Sequence, residues 1–351
     1  MKAPIKPSES TWALLAVMRW VLAGIVLMVH LRATFVPTNA VIDFIVSLGG
    51  KAAVMGFFLI SGYSIAHSYG ERPEGYFRRR FLRIYPIYLV AVLFTQLVVY
   101  LAPSPAVCLD GYAYVSAGFR TSVANALLLQ DFAAIALTYN IPLWTLSLEV
   151  FYYVLAPFLY RRSQAVLVAV IIVSMVVFHL SPAPDLLYGY KAIVFFWPWL
   201  IGFLLGRDAG RLSWPIGLGL IGALLVFLNK KETVEPLSIV PYLATFILIL
   251  LAPYLDIPRL LRVVANFLGE LSYPLYLFHL PLAIFFFKCL GLRGLPGFLV
   301  AIIGSTVILW YIFDEKLKRW LWVPAVDSVI RFARSNCLAW YSPAPEGKDV
   351  S

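Results

Sequence analysis

Charge is scarce in this chain. Asp, Glu, Lys and Arg make up only 13% of its 351 residues, against 62% hydrophobic residues and a mean hydropathy of +0.85. A soluble globular domain of this length has no use for such a balance, so the composition is that of a multi-span membrane protein. Cysteine is nearly absent. Cys108, Cys289 and Cys337 stand alone in different segments, and neither a disulfide framework nor a metal spacing can be read from them. Repeats, low-complexity tracts and an appended soluble domain are missing too, which leaves one domain. Nor is a cleavable leader apparent: the stretch before Ser10 is short and polar, and Trp12 to Leu31 is long enough to cross a hydrocarbon core of ~30 Å.

What is abundant is apolar sequence in helix-length runs. They fall at about 12–31, 48–69, 84–102, 143–160, 165–180, 192–206, 215–228, 237–255, 268–290 and 297–313. The prediction is an all-α integral membrane bundle of about ten transmembrane helices, with residues 1–313 as its domain. An even number places both termini on one side. The segments on that side carry nineteen Lys and Arg, and the opposite segments eight. The positive-inside rule therefore puts both termini in the cytoplasm. The net charge of +10 is topological and calls for no nucleic acid.

Two stretches outside the spans are distinctive. Pro103 to Pro142 is long and contains an apolar piece, Val123 to Phe132, too short to cross and expected to form an interfacial or re-entrant helix. Residues 314–334 mix Lys316, Lys318, Arg319, Arg331 and Arg334 with Trp320, Leu321, Trp322, Val326 and Ile330, the pattern of an amphipathic helix on cytoplasmic headgroups. Residues 335–351 read as an unstructured tail.

Ionisable residues inside the spans are where chemistry is expected, because each is costly in hydrocarbon. Arg19 and His30, eleven positions apart, lie on nearly one face of the first helix. The plain alternative is that Arg19 snorkels to the headgroups and His30 marks the helix end. Arg78, Arg79, Arg80 and Arg83 open the third span. Arg80 and Arg83 share a face, where planar guanidiniums can grip phosphates; a lipid anchor is the other reading. Glu149 lies about ten ångström inside the fourth span, which begins at Pro142, too deep to reach headgroups. A carboxylate there wants a cation or a proton, and His30 could meet it as a base oriented by a carboxylate. A structural ion pair is the rival account. Ser61 and Tyr63 sit beside glycines in the second span, where close helix packing explains them equally well. In the ninth span Pro274 and Pro281 should distort the helix and free carbonyls near His279, a kink-stabilising or cavity-lining histidine.

Five of these pieces occur in one order across about 300 residues: Arg19 with His30, Phe57-Phe-Leu-Ile-Ser-Gly-Tyr63, Arg80-Phe-Leu-Arg83, Trp144-Thr-Leu-Ser-Leu-Glu149, and Ser272-Tyr273-Pro-Leu-Tyr-Leu-Phe-His279. Together they resemble the membrane-bound acyltransferase-3 family, which includes bacterial O-acetyltransferases of surface polysaccharides. The resemblance implies a ten-helix enzyme of the bacterial inner membrane. Such an enzyme moves an acyl group, acetyl first among them, from cytoplasmic acyl-CoA to a hydroxyl of a glycan or glycolipid. It makes Arg19 and His30 the family's Arg–His motif, Arg80 and Arg83 its Arg-x-x-Arg motif, and Glu149 the acid of a Trp-Ser-x-x-x-Glu-like segment, here with Thr145 after the Trp. His30 is then the expected general base, Glu149 its orienting carboxylate, and Arg78 and Arg79 supporting cations for coenzyme A. Ser61, Tyr63, Trp144, Tyr273 and His279 are the cavity candidates, and no metal is implied. Two readings compete with this one: a transporter or flippase with an Arg/His/Glu relay, and a structural membrane subunit.

Overall fold

The computed structural model describes residues 7–35, 39–102, 118–180, 189–208, 213–229 and 232–340, and among these the regular structure is helical. The helices are α1 (Glu9–Thr34), α2 (Ala40–Ser47), α3 (Gly50–Glu71), α4 (Tyr76–Leu101), α5 (Phe119–Ala126), α6 (Trp144–Tyr160), α7 (Gln164–Leu180), α8 (Tyr190–Val194), α9 (Phe196–Arg207), α10 (Ser213–Leu228), α11 (Ile239–Leu251), α12 (Arg259–Lys288), α13 (Leu295–Leu309) and α14 (Val323–Trp340). Among the described residues five helices are long and apolar enough to cross a membrane, and the pair α2 and α3, bent by 51° at Leu48 and Gly49, adds a sixth if it is one span. The chain is a multi-pass membrane protein. Shorter apolar helices, α7, α10 and α11 with the turn that follows it, fill the rest of the bundle. Cys108 and the tail beyond 340 lie outside the described residues.

Local chemistry sets where these helices start. Ser8 caps α1 by accepting from the Thr11 amide at 3.1 Å, while the Thr11 hydroxyl accepts from the Ser8 amide at 3.0 Å. The start of α1 is then tied to the turn before α12, because Thr11 donates to the Ala252 carbonyl and Ser10 donates to Asp256. One end of the bundle thus gathers Glu9, Glu71, the Arg72 to Arg83 run and Asp256, and we call it the arginine face.

α3 is the central helix, packed on α1, α6, α9 and α11. Its seam with α9 depends on two glycines. A Cβ on Gly62 would lie 1.9 Å from the Trp199 carbonyl oxygen, and one on Gly202 would lie 2.0 Å from that of Leu59. Backbone meets backbone there, so nothing flexible can give way. Gly202→Ala is expected to cost at least the 1–3 kcal/mol typical of overpacking, about several degrees of melting temperature. Gly217→Ala, at a site with no atom within 4 Å of the added carbon, should leave the melting curve where it is. Scanning fluorimetry on both variants checks this, and equal curves would refute the close-contact account.

The prolines of α12 act as expected. Pro281 cannot donate to the carbonyl of Leu277, and the Asn140 side-chain amide takes that place, donating to Leu277 O at 2.9 Å. Asn140 belongs to the 3-10 turn Thr138–Leu143 that leads into α6, so the freed carbonyl is also what docks this turn on α12.

The apolar piece of the long loop also takes a definite form. α5 and the turn after it run into the bundle: the Asn125 carbonyl accepts from Tyr88 at 2.6 Å, twelve residues or about 18 Å along α4. The chain then leaves past Gln130, whose amide donates to the Leu143 carbonyl, and Asp131, paired with Lys191 at 3.1 Å. The helix spans 119–126 rather than 123–132, because Leu128 and Asp131 adopt positive φ and break the helical run.

The stretch from Asp314 is helical too, but it continues α13 without a break. The helix widens to π pitch over Trp310–Trp322 and runs on as α14. It returns to the arginine face, where Arg78 makes a bidentate pair with Asp327 at 2.6 and 2.8 Å and Trp322 packs on Tyr85.

Candidate active site

Four expected residues converge on one cavity of about 110 Å³ between α1, α3, α4, α6 and α12: Arg19, Glu149 and the Arg80 and Arg83 pair. They arrive from three helices, α1, α4 and α6, so assembling the site requires these helices to pack together. Arg19 donates to Ser64 at 3.3 Å, and Arg80 donates to Ser68 at 2.8 Å. Glu149 Oε1 accepts from Ser61 at 2.8 Å and from Tyr153 at 2.5 Å. Ser61 therefore holds the carboxylate in addition to any packing role. Tyr273 lines the cavity as well, its hydroxyl spent on the Ile84 carbonyl at 3.1 Å.

The cavity is unbalanced in charge, with three guanidiniums to one carboxylate. Arg80 Nε is buried without a hydrogen-bond partner among the described residues. A buried donor left unmade is costly, and the site is arranged to receive an anion. A second, more open chamber of about 340 Å³ adjoins it toward the arginine face, sharing Arg19, Ser64, Arg80 and Arg83 and adding Trp12, Arg72 and Arg79, with Glu71 as its one carboxylate. An anionic ligand thus meets a continuous guanidinium-lined path from that face to Glu149.

Arg78 lies away from this path, held by Asp327. Arg79 lines the outer chamber but spends its guanidinium on the backbone carbonyls of Glu74 and Arg72. Tyr63 is buried against Trp12 and His67, with ring centroids 5.8 and 4.6 Å away. Trp144 packs on Phe195 at 5.3 Å, with Lys191 Nζ 5.2 Å above its ring. Neither is among the residues lining the cavity.

His30 lies on the far side. Its Nδ1 is 2.8 Å from the Val26 carbonyl and 3.2 Å from His279 Nε2, with the rings 5.1 Å apart. His279 in turn directs its Nδ1 at the carbonyls of Tyr276 and Leu275, 2.9 and 3.2 Å away. Carbonyls only accept, so both Nδ1 atoms carry hydrogen and, in the neutral rings, both Nε2 atoms carry the lone pair. His279 thereby accepts from His30, and the basic nitrogen of His30 is Nε2. Glu149 and His30 are thus held by different partners, because α12 lies along α1 and places Tyr276 and His279 between them.

Tyr276 forms the partition between the two halves. It lines the cavity, its hydroxyl bonds Thr145 at 2.9 Å and the Pro142 carbonyl at 3.1 Å, and its ring lies 6.0 Å from that of His279. Sequence reasoning singled out neither Tyr153 nor Tyr276. Tyr153 was signalled by its spacing, four residues from Glu149 and one helical turn away; nothing local marks Tyr276.

The acyltransferase domain family matches the chain over residues 13–315. A curated relative, acyltransferase MdmB of Streptomyces mycarofaciens, is 31% identical over 122 residues, covering 33% of this chain and 30% of that protein. The chain thus spans less than a third of that relative's length. No solved structure matches.

Proposed function

The chain belongs to the acyltransferase-3 family, and from that premise we propose that it is a membrane O-acyltransferase taking its acyl group from acyl-CoA. In this reading the bundle crosses a bacterial inner membrane ten times, both termini are cytoplasmic, and the arginine face is the cytoplasmic one. The acceptor is a hydroxyl of an exported glycan or glycolipid. The observation that carries the proposal is the guanidinium path that runs past Arg80, whose buried Nε has no partner among the described residues. A polyphosphate with a thioester arm fits that path, since charge-assisted bonds to phosphate are the strong ones.

Arg80 and Arg83 hold the phosphates, with Arg79 adding positive charge to the chamber wall, and Arg19 and Glu149 lie where the thioester arm ends. On the acceptor side His30 Nε2 takes the hydroxyl proton. The oxygen attacks the thioester carbonyl, the carbon–sulfur bond breaks, and the proton passes from His30 to the departing thiolate, giving ester and free coenzyme A. His279 holds the His30 ring, the role the sequence assigned to Glu149. Glu149, gripped by Ser61 and Tyr153, instead balances the arginines.

Arg19 and His30 are eleven residues or about 16 Å apart along α1. They mark the donor and acceptor sides, and the Tyr276 partition must shift for the thioester to meet His30. Mass spectrometry of surface glycans and glycolipids from cells with and without the protein tests the proposal. The expected result is an ester-sized mass lost with the protein; a transporter would instead leave the substituents in place and alter their distribution.

A further inference from the structure

The central cavity continues into a third space. An apolar groove of about 220 Å³ runs between α4 and α6 and shares Arg80, Ile84 and Tyr153 with the cavity. Beyond that junction its walls are hydrophobic: Phe77, Phe81 and Tyr85 from α4, Val150 and Val154 from α6, and Leu128 from the inserted segment. Phe81 and Val154 are 40% and 48% exposed, so the groove opens sideways, where lipid chains lie around a spanning bundle.

Its limits are built. At the arginine face Tyr76 donates to the Tyr153 carbonyl at 3.1 Å and ties α4 to α6. At the other end Leu128 is placed by a turn with φ of 59°, seldom adopted by residues other than glycine, and the bond from Tyr88 to Asn125 holds that turn in the bundle. A seam that merely faces lipid would end on closed protein. This one ends on Arg80, and on Tyr153, which bonds Glu149.

The three spaces therefore meet at Arg80: a cationic chamber, a small reaction cavity and an apolar groove. A ligand with a polyanionic head, a reactive carbonyl and a hydrocarbon tail has a place for each part. An acetyl group needs only the middle one.

We propose that the groove holds the acyl chain of the donor and that this chain extends beyond acetyl, a specificity that rests on reading the arginine chamber as the coenzyme A site. Isothermal titration of the purified protein with acetyl-CoA and hexanoyl-CoA tests it. The wild type should bind hexanoyl-CoA at least about tenfold more tightly, the order expected for burying several methylenes. Val150→Trp and Val154→Trp, which fill the groove, should erase that preference and leave acetyl-CoA binding as it was. Equal affinities in the wild type, or a preference that survives both substitutions, would overturn the groove and leave the donor site standing. If the wild type binds neither thioester, the donor site itself falls, and the groove's role with it.

Discussion

Replacing His30 by alanine is expected to lower acyl transfer by about 10²–10⁴-fold, the range that a positioned general base supplies, while acetyl-CoA binding stays unchanged. The separation follows from geometry. His30 lies beyond Tyr276 from the arginine-lined cavity, about 16 Å along α1 from Arg19, and the Val26 carbonyl and His279 occupy its Nδ1. His279→Ala removes the ring that accepts from His30 but leaves the Val26 bond, so a smaller loss is expected, with the pH profile displaced. Rates of coenzyme A release measured with an acceptor-containing membrane fraction distinguish the two. A His30→Ala protein working at near wild-type rate would end the assignment.

The double substitution Arg80→Ala, Arg83→Ala should weaken acetyl-CoA binding by more than about a hundredfold, because each charge-assisted hydrogen bond contributes roughly 1.5–3 kcal/mol. Arg80 has a buried donor without a partner, and Arg83 has neither a hydrogen-bond nor an ion-pair partner among the described residues. Arg78→Ala is the matched comparison. Its guanidinium is engaged by Asp327, so it should alter the docking of α14 and scarcely change donor affinity. Equilibrium binding by calorimetry reads both, and an Arg78 effect equal to that of the pair would mean that only the total positive charge of the loop matters.

The residues that could be read from the sequence were those whose cost in hydrocarbon stands out in one dimension. Arg19, Glu149, Arg80 and Arg83 are of that kind, and they do meet. The prolines of α12 were equally legible, since a missing amide at 281 must free the carbonyl at 277, though not that Asn140 would take it. Pairing across helices was less accessible. The sequence places His30 and Glu149 at compatible depths, but depth does not say which helix stands between them, and α12 does. Membership of the cavity was also hard to judge. Tyr63 and Trp144 lie in motif segments yet point into aromatic packing, while Ser64 and Tyr276 line the cavity on residue types too ordinary to single out. The tail showed its amphipathic character, but not the ion pair of Asp327 with Arg78 that ties it to α4.

The central claim is that donor and acceptor are met on opposite sides of one bundle. Sealed membrane vesicles of the two orientations, each given radiolabelled acetyl-CoA from outside only, test it most directly. Label is expected in the glycan or glycolipid fraction of inside-out vesicles, where the arginine face is exposed to the donor, and none in sealed right-side-out vesicles. Equal labelling of both, or labelling confined to right-side-out vesicles, would contradict it.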